Sequence, residues 1–236
     1  MTAYRKKLKE IYDRKAKTYD LTREIFEKGR FAFRERKLIA ENLPKGSKVL
    51  IVGCGTGRHS KFLINSLKCE IVNVDLSPEM LKIARAKERA KGEYIVATAE
   101  ELPFRNEVFD AIICSRAFYL FEDKSRFLRR AYSCLKEKGL VLVSTFSKGL
   151  WITKLLIAAR LLSPDPQSYP YNASELAYML SQAGFDRIET RCIVLYTNRI
   201  SKFLPKFILA LISRLEDHLL DGRWVMAIGR KAKDTK

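Results

Sequence analysis

Apolar positions follow two periods along this chain. Short apolar runs at 48–52, 70–75, 93–97, 109–115 and 139–146 predict strands. The segments between them carry helical spacing and predict helices over about 58–67, from Ser77 to before Gly92, in a short turn after 97, and over 123–136. Ser77 followed by Pro78 supplies an N-cap and a first helical residue, and Pro44, Gly46 and Ser47 make the turn into the first strand. Strand and helix in alternation imply an α/β fold, a parallel sheet with helices on both faces. Ahead of it, residues 3–42 predict two amphipathic helices rich in Lys, Arg and Tyr. Two later stretches also carry apolar stripes: GLWITKLLIAARLL at 149–162, which runs into the loop SPDPQSYPY at 163–171, and residues 200–220. In the second, Ile200, Phe203, Leu204, Phe207, Ile208, Leu211, Ile212, Leu215 and Leu219 repeat at i, i+3, i+4, i+7, with Pro205 setting a start near Phe203 or a kink.

One junction carries chemistry. Residues 49–60 read VLIVGCGTGRHS, and EIVNVDLSPEML follows at 70–81. An apolar strand enters a glycine turn, the turn opens a helix, and the next strand ends on an acid. That is how a βαβ unit holds a nucleoside. Gly53, Gly55 and Gly57 let the backbone turn tightly and approach a ligand without a Cβ in the way. Asp75 stands where a carboxylate accepts hydrogen bonds from two ribose hydroxyls. The spacing is G-C-G-T-G, with Ser60 at the later position, and not the G-x-G-x-x-G of dinucleotide folds.

GCGTG resembles motif I of the class I S-adenosylmethionine (SAM)-dependent methyltransferases. Further matches follow in that family's order: LSPEML (76–81), AEELPF (99–104), FDAIICSRAFYLF (109–121), LRRAYSCLKEKGLVLVSTF (128–146), ELAYMLSQAGFDRIE (175–189) and WVMAIGRK (224–231). YDRKAKTYD at 12–20 resembles its opening segment. The likeness covers roughly residues 10–231 and is strongest to the quinone-biosynthesis C-methyltransferases and the small-molecule and lipid methyltransferases. It implies a Rossmann-like, seven-stranded, mostly parallel sheet whose last strand is antiparallel. It also implies one domain over 1–236, with an N-terminal helical cap (3–42) and lid-like insertions (149–171 and 200–220). The implied cofactor is SAM. Gly53, Cys54, Gly55 and Gly57 would approach its methionine part, Asp75 its ribose, Leu76 and Met80 its adenine faces, and Thr98, Ala99 and Glu100 the adenine edge. Ser115 and Arg116 would stand at the reactive end, Tyr12 and Tyr19 would fold over the amino-acid end, and Phe118, Tyr119, Trp151, Tyr169 and Tyr171 would meet the acceptor. Tyr119 and His59 are candidate catalytic groups, with His59 placed at a helix start where it caps or is solvated.

Two positions depart from the family. An acid usually stands two residues before the first glycine, where this chain has Ile51, and another usually precedes the AE dipeptide, where it has Thr98. Each loss is worth about 1–3 kcal/mol of cofactor binding.

Composition narrows the function classes. The chain has 236 residues, enough for one sizeable core, and its 47% hydrophobic content argues against disorder. Its five cysteines form no CxxC pair and its histidines number two, so neither a zinc site nor a disulfide framework is expected. Cys69, Cys114 and Cys134 sit in apolar patterns and are expected to pack as small hydrophobes. The expected setting is the reducing cytoplasm, with a peripheral position at the inner membrane face. There is no run of 18 uncharged apolar residues, so no membrane span is expected. The formal charge of +18 draws the chain towards anionic lipid or nucleic acid. Three functions are consistent with these features: methyl transfer to a small or lipophilic acceptor such as an isoprenoid quinone or membrane lipid, methyl transfer to tRNA or rRNA, and a non-catalytic SAM-fold binding role.

Overall fold

The structure is a computed structural model, and it describes residues 1–27, 30–87, 91–147, 171–194 and 224–232, together with Pro205, Phe207, Ile208, Leu211 and Arg214. Seven strands form one sheet: β1 Lys48–Val52, β2 Glu70–Asp75, β3 Glu93–Val96, β4 Phe109–Ser115, β5 Leu135–Phe146, β6 Phe185–Val194 and β7 Trp224–Lys231. Their order is β3-β2-β1-β4-β5-β7-β6, and only β7 runs antiparallel, between β5 and β6. This is the sheet that the family resemblance implies.

Side-chain alternation splits the core into two layers. Leu50, Val52, Val72, Val74, Ile112 and Val143 point to the face covered by α5 (Lys124–Cys134) and α6 (Ala173–Gln182). Val49, Ile51, Ile71, Ile113 and Leu142 point to the other face, under α2 (Arg30–Asn42) and α3 (Arg58–Phe62). Both faces are covered, so the strands read as continuous apolar runs. Each capped helix has a visible reason to start. Asp123 accepts from the Arg126 N–H at 2.8 Å ahead of α5, and Asn172 and Glu175 form a reciprocal capping box ahead of α6.

The N-terminal cap consists of α1 (Ala3–Glu27) and α2, as the amphipathic pattern predicts. The helix expected over 58–67 is α3 followed by a π turn, Leu63–Leu67, closed by Lys68 in the left-handed region. The helix expected to run to 136 stops at Cys134, because Leu135 turns extended, is fully buried and pairs with Phe109. The strand expected at 139 therefore begins at 135. Of the segment 149–171 only Tyr171 is described, so Trp151 and Tyr169 lie outside the described residues. Of 200–220, Phe207, Ile208, Leu211 and Arg214 are helical, and the others apart from Pro205 lie outside. No helix among the described residues is long and apolar enough to cross a membrane.

Candidate active site

A pocket opens at the carboxyl ends of β1, β2 and β4, where the strand order reverses between β1 and β4. Its floor is the glycine turn. The N–H groups of Gly53 and Cys54 donate to the Val74 carbonyl at 2.8 and 3.1 Å, which ties the turn to β2. Gly53 has φ +69°, and a Cβ there would stand 2.4 Å from the Ala117 methyl. Gly55 lies beside the Tyr19 ring, whereas Gly57 sits behind the turn as the N-cap of α3, away from the pocket lining.

Asp75 holds two loops at once. Its carboxylate accepts from the Gly55 N–H at 2.7 Å and from the Ser77 N–H at 2.9 Å. Burial pushes this carboxyl above its ordinary value, against the two N–H bonds that pull it down. The sequence reading gave Asp75 to a ribose, and the structure adds that it sets the glycine turn against the start of α4 (Pro78–Lys87). Leu76 and Met80 line the same mouth. Opposite them lie Thr98 and Ala99, and the buried Thr98 hydroxyl has no hydrogen-bond partner among the described residues. A glycine-rich turn, a carboxylate, two apolar side chains and an unused hydroxyl fit a nucleoside.

Glu100 was expected at the adenine edge. It lines the pocket, but its Oε1 accepts from the N–H groups of Glu122 and Asp123 at 2.8 and 3.2 Å. Its Oε2 is 3.5 Å from Arg5, whose guanidinium also reaches Glu122 and Glu101. Arg5 belongs to a strap formed by α1. Asp13 accepts from the Ser77 hydroxyl at 2.5 Å, and Asp20 accepts from the Thr56 hydroxyl at 2.6 Å and pairs with Lys87. Both aspartates titrate below their ordinary values: burial opposes this, and hydrogen bonds from Lys9 and Ser77, or from Lys87 and Thr56, outweigh it. Tyr12 and Tyr19, one heptad apart with ring centroids at 6.2 Å, come down on the same side and line the pocket. The sequence reading took the tyrosines of YDRKAKTYD and missed the aspartates beside them.

The far end of the pocket contains Ser115, Arg116, Tyr119 and His59. Tyr119 and Trp224 line this end, and Phe146, outside the lining, packs against both, edge-on to Tyr119 at 5.3 Å and 3.7 Å from the Trp224 ring. Phe118 does not join them. It is fully buried and packs on Phe127 and Tyr171, whereas its neighbours in the turn, Tyr119 and Leu120, line the pocket. Tyr171 goes with Phe118 and away from the pocket lining.

His59 is neither a cap nor solvated. It is 7% exposed, and its Nε2 is 3.3 Å from Oε2 of Glu35, a fully buried carboxylate from α2. The other oxygen of Glu35 accepts from the Ser115 and Ser144 hydroxyls at 2.6 and 2.7 Å, and Arg116 Nε lies 3.8 Å from Oε2. Burial alone would raise the Glu35 carboxyl, but the His59 imidazole and the two hydroxyls outweigh it and hold it below the ordinary carboxylate range. Ser115 and Ser144 share the sheet face of Ile113 and Leu142, and Ile51 lies on that face too. The carboxylate that the family carries at the position of Ile51 is absent, and α2 brings one to the same face. Among the described residues no group of His, Cys, Asp and Glu is arranged to hold a metal.

Comparison with known proteins agrees with this geometry. A methyltransferase-domain family model matches residues 50–143. The chain is 37% identical to the demethylmenaquinone methyltransferase of Thermotoga maritima, over 56% of this chain and 58% of that protein. It is 30% identical to the ubiquinone/menaquinone biosynthesis C-methyltransferase UbiE of Francisella philomiragia, over 78% of this chain and 85% of that protein. Two other curated relatives are matched over 57% and 61% of their own length. A SAM-dependent methyltransferase structure from Thermotoga maritima superposes with a TM-score of 0.68 at 22% identity, covering 94% of this chain and 99% of that one, which supports the fold. With the glycine turn, the strap and the seven-stranded sheet in place, the chain belongs to the class I SAM-dependent methyltransferases.

Proposed function

We propose that the chain transfers the methyl group of SAM to a ring carbon of a reduced isoprenoid-quinone-type acceptor at an anionic membrane surface on the cytoplasmic side. The observation that carries this reading is the aromatic wall of Tyr119 and Trp224, both backed by contact with Phe146, on the same lining as Arg116 and at the end of the pocket away from Asp75. A flat apolar ring stacks on such a wall, and an ionised ring hydroxyl faces the cation. The 30–37% identity to quinone C-methyltransferases supports the same acceptor class. When bound, SAM supplies an electrophilic methyl on a sulfonium. The chain's part is placement and exclusion of water: the glycine turn and Asp75 orient the nucleoside, the α1 strap closes over it, and the aromatic wall aligns the ring. Membrane contact rests on Phe207 and Leu211, four residues apart and 73% and 57% exposed, with exposed Arg214 close by and a net charge of +18.

Three measurements test this. Calorimetry with SAM and S-adenosylhomocysteine reads the cofactor site. Incubation with SAM and a reduced demethylnaphthoquinone bearing a short prenyl tail reads the acceptor. Co-sedimentation with anionic vesicles at low and moderate salt, beside tRNA filter binding, reads the surface. Methylation of the naphthoquinol and vesicle binding weakened by Phe207→Glu are expected. Tight, specific and steeply salt-dependent tRNA binding without vesicle binding would replace this reading with RNA methylation.

A further inference from the structure

We infer that His59 is the base of this site, and that Glu35 from the N-terminal cap positions it. The inference rests on the methyl-transfer reading, because methylation of a carbon or a hydroxyl releases a proton that must be taken up. The carboxylates at the pocket are already engaged. Asp75 accepts from two backbone N–H groups, Glu100 accepts from two more and faces Arg5, and Glu122 takes Arg5 and the Thr2 hydroxyl. Lys9 is paired with Asp13. His59 differs: both of its ring nitrogens are buried without a hydrogen bond among the described residues, and of the two only Nε2 has a carboxylate oxygen beside it, Glu35 Oε2 at 3.3 Å.

The Glu35 contact favours one nitrogen as the base. A carboxylate 3.3 Å from Nε2 favours the tautomer with the proton there and leaves the Nδ1 lone pair to accept. Leaving a buried nitrogen unsatisfied is unfavourable, a cost that goes with a group kept ready for a proton. The charged groups around the ring are Glu35 from α2, Arg116 from the loop after β4, held near the same carboxylate, and Arg58 on its own helix. In the step, the acceptor carbon forms a bond to the methyl carbon, the S–CH3 bond breaks, and its electron pair stays on sulfur as the thioether. The hydrogen on that carbon leaves as a proton to Nδ1, and its bonding pair restores the ring. Glu35 stabilises the resulting imidazolium, and the proton passes to water after product release.

The test has two arms. In the first, protein labelled with 15N-histidine is studied by NMR in complex with S-adenosylhomocysteine, with His59→Asn identifying the signal in a chain of two histidines. A neutral ring protonated on Nε2 at pH 8 is expected, with the tautomers mixed in Glu35→Gln and restored in Glu35→Asp. A proton on Nδ1, or an imidazolium at that pH, overturns the inference. In the second arm, H59N should lower kcat on the prenylated naphthoquinol by about 10²–10⁴-fold and remove the acid limb of the pH–rate profile, with S-adenosylhomocysteine affinity within about threefold of wild type. H59Q serves as a second variant should H59N fold poorly. A variant that folds, binds S-adenosylhomocysteine and keeps both rate and acid limb overturns the base. Wild type that binds S-adenosylhomocysteine but leaves the naphthoquinol untouched overturns the acceptor class, and the tautomer then decides His59.

Discussion

Gly53→Ala is the sharpest probe of how the glycine turn is built. Two separate costs meet at this residue. With φ at +69°, any Cβ carries the left-handed penalty of about 1–2 kcal/mol. The new methyl would also stand 2.4 Å from the Ala117 methyl, well inside contact distance, which adds an overpacking cost of about 1–3 kcal/mol. The expected destabilisation is their sum, about 2–5 kcal/mol. Ala117 is in turn buried, so Ala117→Gly alone loses about 0.8 kcal/mol for the methyl and about 0.5–1 kcal/mol in chain entropy. In the double variant the clash is gone while the φ penalty remains. Urea unfolding of the four proteins should therefore show a favourable coupling of about 1–3 kcal/mol, the overpacking share. SAM calorimetry should show binding lost in the single Gly53→Ala variant and partly regained in the double. Strict additivity, or an unchanged midpoint for G53A, would refute the account of why glycine is required here.

Further expectations concern pH, the strap and the thiols. Glu35 titrates below its ordinary value in the fold, so its stabilising share is complete above the unfolded pKa of about 4.3 and is lost as pH falls through the lower folded value. Thermal midpoints measured from pH 6 down to pH 3 should fall less steeply in Glu35→Gln than in wild type. Asp13→Ala with Asp20→Ala removes both hydroxyl latches of α1, so amide exchange across α1 should speed up by about tenfold or more, with weaker S-adenosylhomocysteine binding and little change in β1 and β4 protection. Alkylation of the native protein, read by peptide mass, should reach Cys54 and be slowed there by S-adenosylhomocysteine. Cys69, Cys114, Cys134 and Cys192 are buried and should react only after unfolding.

Much of the frame could be read from the pattern of the chain. The strands at 48–52, 70–75 and 109–115 fall where their apolar runs lie, since strands buried on both faces leave an unbroken signature. The β5 start was missed because Lys136, Glu137 and Lys138 look like a polar turn, while the pairing of Leu135 with Phe109 is a tertiary fact. The glycine turn was also legible, because backbone conformation there demands glycine. Glu35 was not, since an acid on a Lys- and Arg-rich helix reads as solvated. A signal did exist: Ala32, Glu35, Ile39 and Leu43 are spaced i, i+3, i+7, i+11 and all are buried, so the acid sits in an apolar stripe. Phe118 and Tyr119 could not be told apart, because a single tight turn decides which ring faces inward.

The place of β7 in the sheet has a consequence for synthesis. Among the described residues strand β6 pairs with no strand other than β7, and β5 is paired on that side by β7 alone. While a ribosome makes the stretch between β5 and β7, at about 5–20 residues per second, the edge of β5 stays open for several seconds as an unpaired row of N–H and C=O groups. The segment β6 emerges before there is a strand to receive it. The sheet then closes in reverse order, with the later-made strand entering the seam and the earlier one docking upon it, a long-range step of the kind that slows folding. Nascent chains halted before residue 224 should be the species that aggregate or recruit chaperones.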